Sequence, residues 1–331
     1  MKGVNLGGWL VAERWMTPSL FVGSEASDEH TLSQTAEGRQ RLKAHHRKFI
    51  TEEDFRWLAS HGVAAVRIPV GYWVFGDAKP YVGALGRLDW AFRMAKKYQL
   101  RVLLCLHGAP GSQNGHDHSG RIGTAEWHQD LAHQEQTIAV LERLAQRYGA
   151  HPALWGLELL NEPAVRRRQA VLRRFYRRAH ERLDGILPPG VRIVFSDAFR
   201  PRFLAGALRS SSSRPVAMDI HWYHFGSSLR RWLSPLWFER LVVSPRRGLI
   251  RRLQRYHEVV IGEWSGVVAG EVLARYDERE HRDIEARFLA RQLAVYEVAD
   301  AWFYWSYKTE FPGMWHFRSL VESGRIDLLR R

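Results

Sequence analysis

The feature that most constrains this chain is an alternation. Across its 331 residues, short apolar runs with strand character give way about eight times to stretches of helical period. Parallel strands need a crossover between them, usually a helix, so this pattern directs a chain into an α/β architecture with a parallel sheet. The predicted strands are Gly3–Leu6, Ala64–Pro69, Arg101–Leu106, Leu154–Leu160, Arg192–Phe195, Ala217–His221, Val259–Glu263 and Ala301–Trp305. The predicted helices are Glu52–Ser60, Leu88–Tyr98, Gln134–Tyr148, Arg166–Leu183, Phe203–Leu208, Leu249–Tyr256, His281–Ala299 and Phe317–Glu322. Eight such units close a (β/α)8 TIM barrel. No internal repeat, low-complexity tract or Pro/Gly/Ser linker interrupts them, so residues 1–331 read as a single domain with long βα-loops.

In such a barrel the reacting groups sit where strands end, on the face built by the βα-loops. The longest insertions, Gly7–Thr51, Gly108–His133 and Tyr223–Gly248, fall there and are expected to shape a cleft. The run Leu154–Leu160 stops at Asn161-Glu162-Pro163, which reads as a buried strand delivering an amide and a carboxyl group at its tip. Pro163 has no N–H with which to continue a ladder. A second apolar run, from Val259, ends in Glu263. Cutting a glycosidic bond requires a proton for the leaving oxygen and a negative group facing the sugar ring, and two carboxyls on separate strands can supply both. Asn161 adds an amide for a substrate hydroxyl.

Other strand ends carry polar and aromatic groups: Arg67 in VRIPVGYW, His107 in LLCLHGAPG, His221 and Tyr223 in MDIHWYHFG, and Trp305 in WFYWSYK. Each alone has a packing explanation, an ion pair for Arg67, a satisfied core imidazole for either histidine, plain core for Trp305. Together they form a rim around the two glutamates, which packing alone would rarely produce.

Composition then limits the partners. No apolar stretch reaches the 18 or so residues of a spanning helix. Met1-Lys2-Gly3 enters the first strand directly, without a charged and apolar leader, so a cytoplasmic protein is expected, or a secreted one if a leader was removed. Cys105 is the single cysteine; it lies in an apolar run, so it reads as a small core residue and is compatible with a reducing compartment. The net charge of +14 and pI near 10.2 point to polyanions or anionic lipid. Arg166, Arg167, Arg168, Arg173, Arg174, Arg177, Arg178 and Arg182 alternate with Leu172, Phe175, Tyr176, Ala179 and Leu183 at helical spacing, an amphipathic helix with a basic outer face. The segment Leu229–Tyr256 holds eight arginines and one acid among Trp232, Leu236, Trp237, Phe238, Leu241 and Val242. It reads either as a packed lid with a solvated basic edge or as a surface in peripheral contact with an anionic membrane. Nucleic acid is not expected: no recognition motif is present, and a phosphate-binding track has no use for paired strand-end glutamates. His116-Asp117-His118 alternates on a loop without a supporting ligand cluster, so neither a metal nor another cofactor is expected.

The stretches GVNLGGWLVAERWMTPSLF (3–21), VRIP (66–69), LHGAPGSQNGHDHSG (106–120), LNEP (160–163), HWY (221–223), GEWS (262–265) and WFYWSYKTE (302–310) span the whole chain, and in this order it resembles glycoside hydrolase family 5, in the clan of retaining barrel glycosidases, most closely the exo-β-1,3-glucanase branch. The resemblance implies a retaining, two-glutamate double displacement with Glu162 as acid/base and Glu263 as nucleophile. It implies Asn161 on the sugar 2-hydroxyl, Arg67 and Tyr223 holding the nucleophile ionised and aimed, and His107, His221, Glu13, Asp117 and Trp305 lining the subsite of the terminal sugar. A general acid needs a raised pKa and a nucleophile a lowered one, so Glu263 near Arg67 is expected to be ionised while Glu162 stays protonated. A retaining pair is expected about 5 Å apart. The substrate implied is a β-glucoside, taken exo by a β-glucosidase or exo-β-1,3-glucanase, with a membrane glycolipid of the glucosylceramide or steryl glucoside type, or endo-action on a β-glucan, as the alternatives. Ala12-Glu13-Arg14 stands where that branch usually reads Leu-Glu-Pro, and His116 and His118 flank Asp117 in place of an aromatic and an amide.

Overall fold

The computed structural model describes residues 1–164, 169–224 and 234–329. Eight parallel strands close a barrel in sequence order: β1 (Lys2–Asn5), β2 (Ala65–Gly71), β3 (Arg101–Gly108), β4 (Leu154–Glu158), β5 (Arg192–Ser196), β6 (Val216–Trp222), β7 (Glu258–Trp264) and β8 (Ala301–Tyr304). The ring is sealed by β1 against β8, with Gly3 opposite Phe303 and Val4 opposite Tyr304. Gly3 is required there, because a Cβ would collide with the Phe303 ring.

The period of two along each strand sorts the side chains. Facing the barrel axis, Ala65, Leu103, Val194, Ala217, Val260, Ala301 and Phe303 form one small buried cluster. Two residues farther along β2, β3 and β6 come Arg67, Cys105 and Asp219, all fully buried. The same step from Gly3 reaches Asn5, and from Gly156 reaches Glu158. An apolar plug thus supports a polar floor. Side chains on the opposite faces, such as Val66, Ile68, Val102, Leu104 and Leu157, pack outward in the main core under the helices.

The helices are α1 (Glu29–Ser33), α2 (Ala36–Lys48), α3 (Glu52–Ser60), α4 (Leu85–Lys97), α5 (Leu131–Tyr148), α6 (Gln169–Asp184), α7 (Pro201–Leu204), α8 (Pro235–Phe238), α9 (Arg246–Leu253), α10 (Gly270–Leu273), α11 (Glu278–Tyr296) and α12 (Phe317–Glu322). The closed parallel barrel expected from the alternation is what forms. The first insertion is not bare loop: it holds α1 and α2, each started by an N-cap side chain, Asp28 accepting from the Thr31 N–H and Thr35 from the Gly38 N–H. On α6, Leu172, Phe175, Tyr176, Ala179 and Leu183 are buried as expected. Its basic face is partly matched by acids of α5: Arg178 pairs with Glu135, and Arg182 with Glu142 at 2.7 Å. Arg166 to Arg168 of the expected basic helix, and residues 229–233 of the basic aromatic segment with Trp232, lie outside the described residues. Among the described residues no helix is long and apolar enough to cross a membrane.

Candidate active site

The barrel register changes near the C-terminal ends of β2, β6 and β7, between Val70 and Gly71, Ile220 and His221, and Ile261 and Trp264. Irregularities of this kind re-aim side chains, and two of them coincide with His221 and Glu263. Gly262 is needed beside them: its N–H donates to Asp219 Oδ1 at 2.7 Å, and a Cβ there would run into that carboxylate. The ladder of β4 ends at Glu158, earlier than predicted. Leu159 and Asn161 then keep the chain along its neighbours, their N–H groups donating to Val194 O and Leu106 O at 2.9 Å. Glu162 follows with φ of 41°, a left-handed backbone that a residue other than glycine adopts only under strain.

At the centre of the polar floor lies Arg67, 0% exposed. Its guanidinium donates to both oxygens of Glu158 at 2.7 and 2.8 Å, to Asn5 Oδ1 at 2.9 Å, to Asn161 Oδ1 at 2.8 Å and to Glu263 Oε1 at 2.8 Å. Cys105 Sγ also accepts from it, at 3.1 Å. Because Asn161 turns its oxygen to Arg67, its amide nitrogen faces the other way, 3.5 Å from His107 Nε2. Tyr223 donates its hydroxyl to Glu263 Oε2 at 2.8 Å. Glu263 is thus held at both oxygens. His221 bridges three acids: Nε2 lies 2.9 Å from Asp219, and Nδ1 lies 2.6 Å from Glu162 Oε1 and 3.5 Å from Glu263 Oε2.

Above this floor is a cavity of about 440 Å³ lined by Glu13, Trp15, His107, His118, Asn161, Glu162, Phe199, Tyr223, Glu263, Trp305 and Trp315. Its volume is in the range of small-molecule sites. Trp305 stacks on His107 at 5.6 Å and 7°, giving a flat aromatic wall. The opposite wall is Trp15 edge-on to Trp315 at 5.1 Å. Carboxylate oxygens of Glu162 and Glu263 lie within 4.8 Å of each other. That agrees with the close spacing of a retaining pair, roughly 5 Å.

Most of the predicted residues converge here, though not all as predicted. Arg67 lies beneath the cavity on Glu263, where it was expected, whereas His221, expected to line the sugar's subsite, also lies beneath it and does not line that space. Glu13 does line it, 3% exposed, with Trp15 Nε1 donating to one oxygen at 2.8 Å and no protein partner for Oε1. Asp117 is displaced by its neighbour: His118 lines the cavity, its Nε2 3.3 Å from Glu162 Oε2. Trp15, Phe199 and Trp315 were not singled out in the sequence because none ends a strand, and His118 was noted only beside Asp117 as a weak metal motif. Glu158 and Asp219 were not singled out in the sequence; the signal that could have found them is an acid inside each of the apolar runs Leu154–Leu160 and Ala217–His221. Glu13, Asp117 and His118 each bring a ligand atom within 4.8 Å of the others, as do Glu158, Asp219 and His221, whereas His116, exposed beside His118, belongs to neither group.

The pKa values of the pair fall in the reverse of the expected order. Burial raises both carboxyls. At Glu162 the hydrogen bond and charge of His221, then His118 and Arg67, overcome it and take the pKa down to about 2. At Glu263 burial prevails over His221 and Arg67, with the charge of Glu162 adding to it, and the pKa is raised. The cause is the position of His221. Burial would empty it of its proton, but Glu263, Asp219 and Glu162 hold it charged well above its usual pKa, and it sits closer to Glu162 than to Glu263. Arg67, by contrast, divides its charge among several partners. Glu13 is pushed well up, by burial first and then by Asp117.

No family model matches the chain. It is 35% identical to "Probable glucan 1,3-beta-glucosidase A" of Emericella nidulans, over 98% of this chain and 89% of that protein. To the glucan 1,3-beta-glucosidase of Blumeria graminis it is 33% identical, over 98% of this chain and 86% of that one. Among solved structures, the rutinosidase from Aspergillus niger superposes with a TM-score of 0.82 at 21% identity, covering 98% and 97% of the two chains, a likeness of fold.

Proposed function

Since the chain belongs to glycoside hydrolase family 5, on its exo-β-1,3-glucanase branch, and is a retaining β-glycosidase, we propose that Glu263 is its nucleophile, Glu162 its acid/base, and the non-reducing terminal glucose of a β-1,3-linked glucan or small β-glucoside its substrate. The observation that carries this reading is the asymmetry of the two carboxyls. Glu263 is clamped by Arg67 and Tyr223 at fixed length, as a group that must attack one carbon requires, whereas Glu162 touches a proton carrier.

His221 is the proton store. Passing its Nδ1 proton to Glu162 Oε1 leaves a neutral imidazole and a carboxylic acid. Glu263 then attacks the anomeric carbon as the bond to the leaving oxygen breaks, and that oxygen takes the proton from Glu162. In the second half Glu162, again a carboxylate, draws a proton from water as the water displaces Glu263 from the sugar, and the proton returns to His221. The Asn161 amide, aimed away from Arg67, meets the 2-hydroxyl. The unpartnered Oε1 of Glu13 and the imidazole of His118 meet hydroxyls on the far side of the ring, with Asp117 behind them. His107 and Trp305 offer the ring its aromatic wall. Trp15, Phe199 and Trp315 surround the mouth, which favours a chain end over the middle of a long chain.

The roles are separable. Glu162→Ala is expected to lose several orders of magnitude on alkyl or glucan substrates, to lose far less on 2,4-dinitrophenyl β-glucoside, and to form β-glucosyl azide when azide is added. Glu263→Ala is expected to be silent on both and to give the α-azide. Thermal melting of each variant checks that folding is intact. Wild-type turnover in either variant, or exchanged azide products, would overturn the assignment.

A further inference from the structure

We propose that the end of the barrel bearing the active site seats on an anionic lipid surface through two adjacent βα-loops. The strands β5 and β6 are neighbours in the ring, so the segments after them leave the same end side by side. After β5 comes Phe199-Arg200-Pro201-Arg202-Phe203, in which Phe199 is 59% and Phe203 63% exposed and both arginines face solvent. After β6 come α8 and the wide helical turn Glu239–Val243, where Trp237 is 52% and Leu241 57% exposed with exposed Arg240 between them.

These apolar groups are not the unfinished edge of a core. Phe238 and Val243 on the same segment are buried, Phe238 packs edge-on against His224 at 5.6 Å, and Glu239, the segment's one acid, is buried against Arg287 at 3.0 Å. Arg246 folds inward onto the Trp222 ring and His224. The inward face is therefore complete, and what remains outside is aromatic, aliphatic and cationic, with no exposed carboxylate among residues 199–204 or 234–247. Large apolar side chains at helix spacing, ringed by arginine, suit the boundary between anionic headgroups and acyl chains, where the arginines meet phosphate or carboxylate and the rings sink below them. A nucleic acid would use the arginines and leave Trp237 and Leu241 in water. Phe199 also lines the catalytic cavity, so this face is continuous with the mouth. A glucoside whose aglycone is a membrane lipid would then present its sugar to the cavity without leaving the bilayer; this last step rests on the glycosidase assignment, whereas the docking itself does not.

Co-sedimentation of the whole protein with phosphatidylserine/phosphatidylcholine vesicles at low salt tests it. Binding is expected to anionic vesicles and to be lost with phosphatidylcholine alone. Trp237→Ser combined with Leu241→Ser is expected to lower the bound fraction at least several-fold, as is Arg240→Glu combined with Arg247→Glu, while circular dichroism melts and hydrolysis of a soluble aryl β-glucoside stay at wild-type values. No sedimentation of the wild type overturns the proposal. So does sedimentation that the Trp237/Leu241 pair leaves unchanged, together with equal retention on a single-stranded oligonucleotide, which would mark an unspecific polyanion surface. Loss of hydrolysis with vesicle binding intact would count against the catalytic assignment alone.

Discussion

At the level of single residues, the site works because each charged group is shared. His221 touches Asp219, Glu162 and Glu263, and its closer contact with Glu162 holds that carboxyl low. Its role as proton store gives a specific expectation. His221→Gln keeps a hydrogen-bonding side chain but cannot hold the proton, so kcat on alkyl glucosides is expected to fall by about 10²-fold, the usual contribution of a positioned acid or base. On 2,4-dinitrophenyl β-glucoside, whose leaving group needs no proton, the loss is expected to be much smaller. Steady-state kinetics on the two substrates makes the comparison; equal losses on both would reduce His221 to a structural role. This residue also shows where sequence reading stopped. The pattern of strand ends found His221 and both glutamates, but the proton order depends on distances of 2.6 against 3.5 Å, which no spacing along the chain encodes.

Among elements, the barrel strands were the most legible and the long loops the least. Strands that are buried on both faces write themselves as apolar runs, so all eight were found within a few residues of their ends. α2 was missed because its sequence, AEGRQRLKAHHRK, buries only Gly38, Leu42 and His46, too thin a stripe to stand out. That helix has a consequence for pH. Burial depresses the pKa of His46 to about 3 and that of His45 to about 4. In the unfolded chain both would take up protons near pH 6.5, so below that pH the unfolded state binds more protons than the folded one. Stability is therefore complete above pH 6.5 and lost as the pH falls toward 4. From His46 alone, about two pKa units at pH 4.5 amount to roughly 3 kcal/mol. Urea melts at pH 7 and pH 4.5 measure the difference, and His46→Phe is expected to remove that share of it; an unchanged slope would refute the account.

On the scale of the whole molecule, catalytic machinery and structural core are one object. Arg67 on β2 reaches Asn5 on β1, Glu158 on β4 and Glu263 on β7, tying strands across the interior of the ring. Removing it would leave Glu158 buried without its direct cation, and Asp219 and Glu263 with His221 alone. Arg67→Met is therefore expected to cost roughly 3–5 kcal/mol, the usual penalty for breaking a buried ion pair from one side. A fall in the melting temperature alongside lost turnover would show it, and a variant that melts like the wild type would not fit. The loop after β3 reaches into this network, with Gln113 and Asn114 donating to Asn161 O and Glu162 O and His118 3.3 Å from Glu162, so changes in that loop are felt at the acid. Glu162 stands at the meeting of the two. Its φ of 41° is a geometry that glycine would occupy at ease. A designer ranking positions by backbone comfort alone would write Gly into position 162 early and remove the group proposed as acid/base. The discomfort of that one residue records what the chain has been kept for.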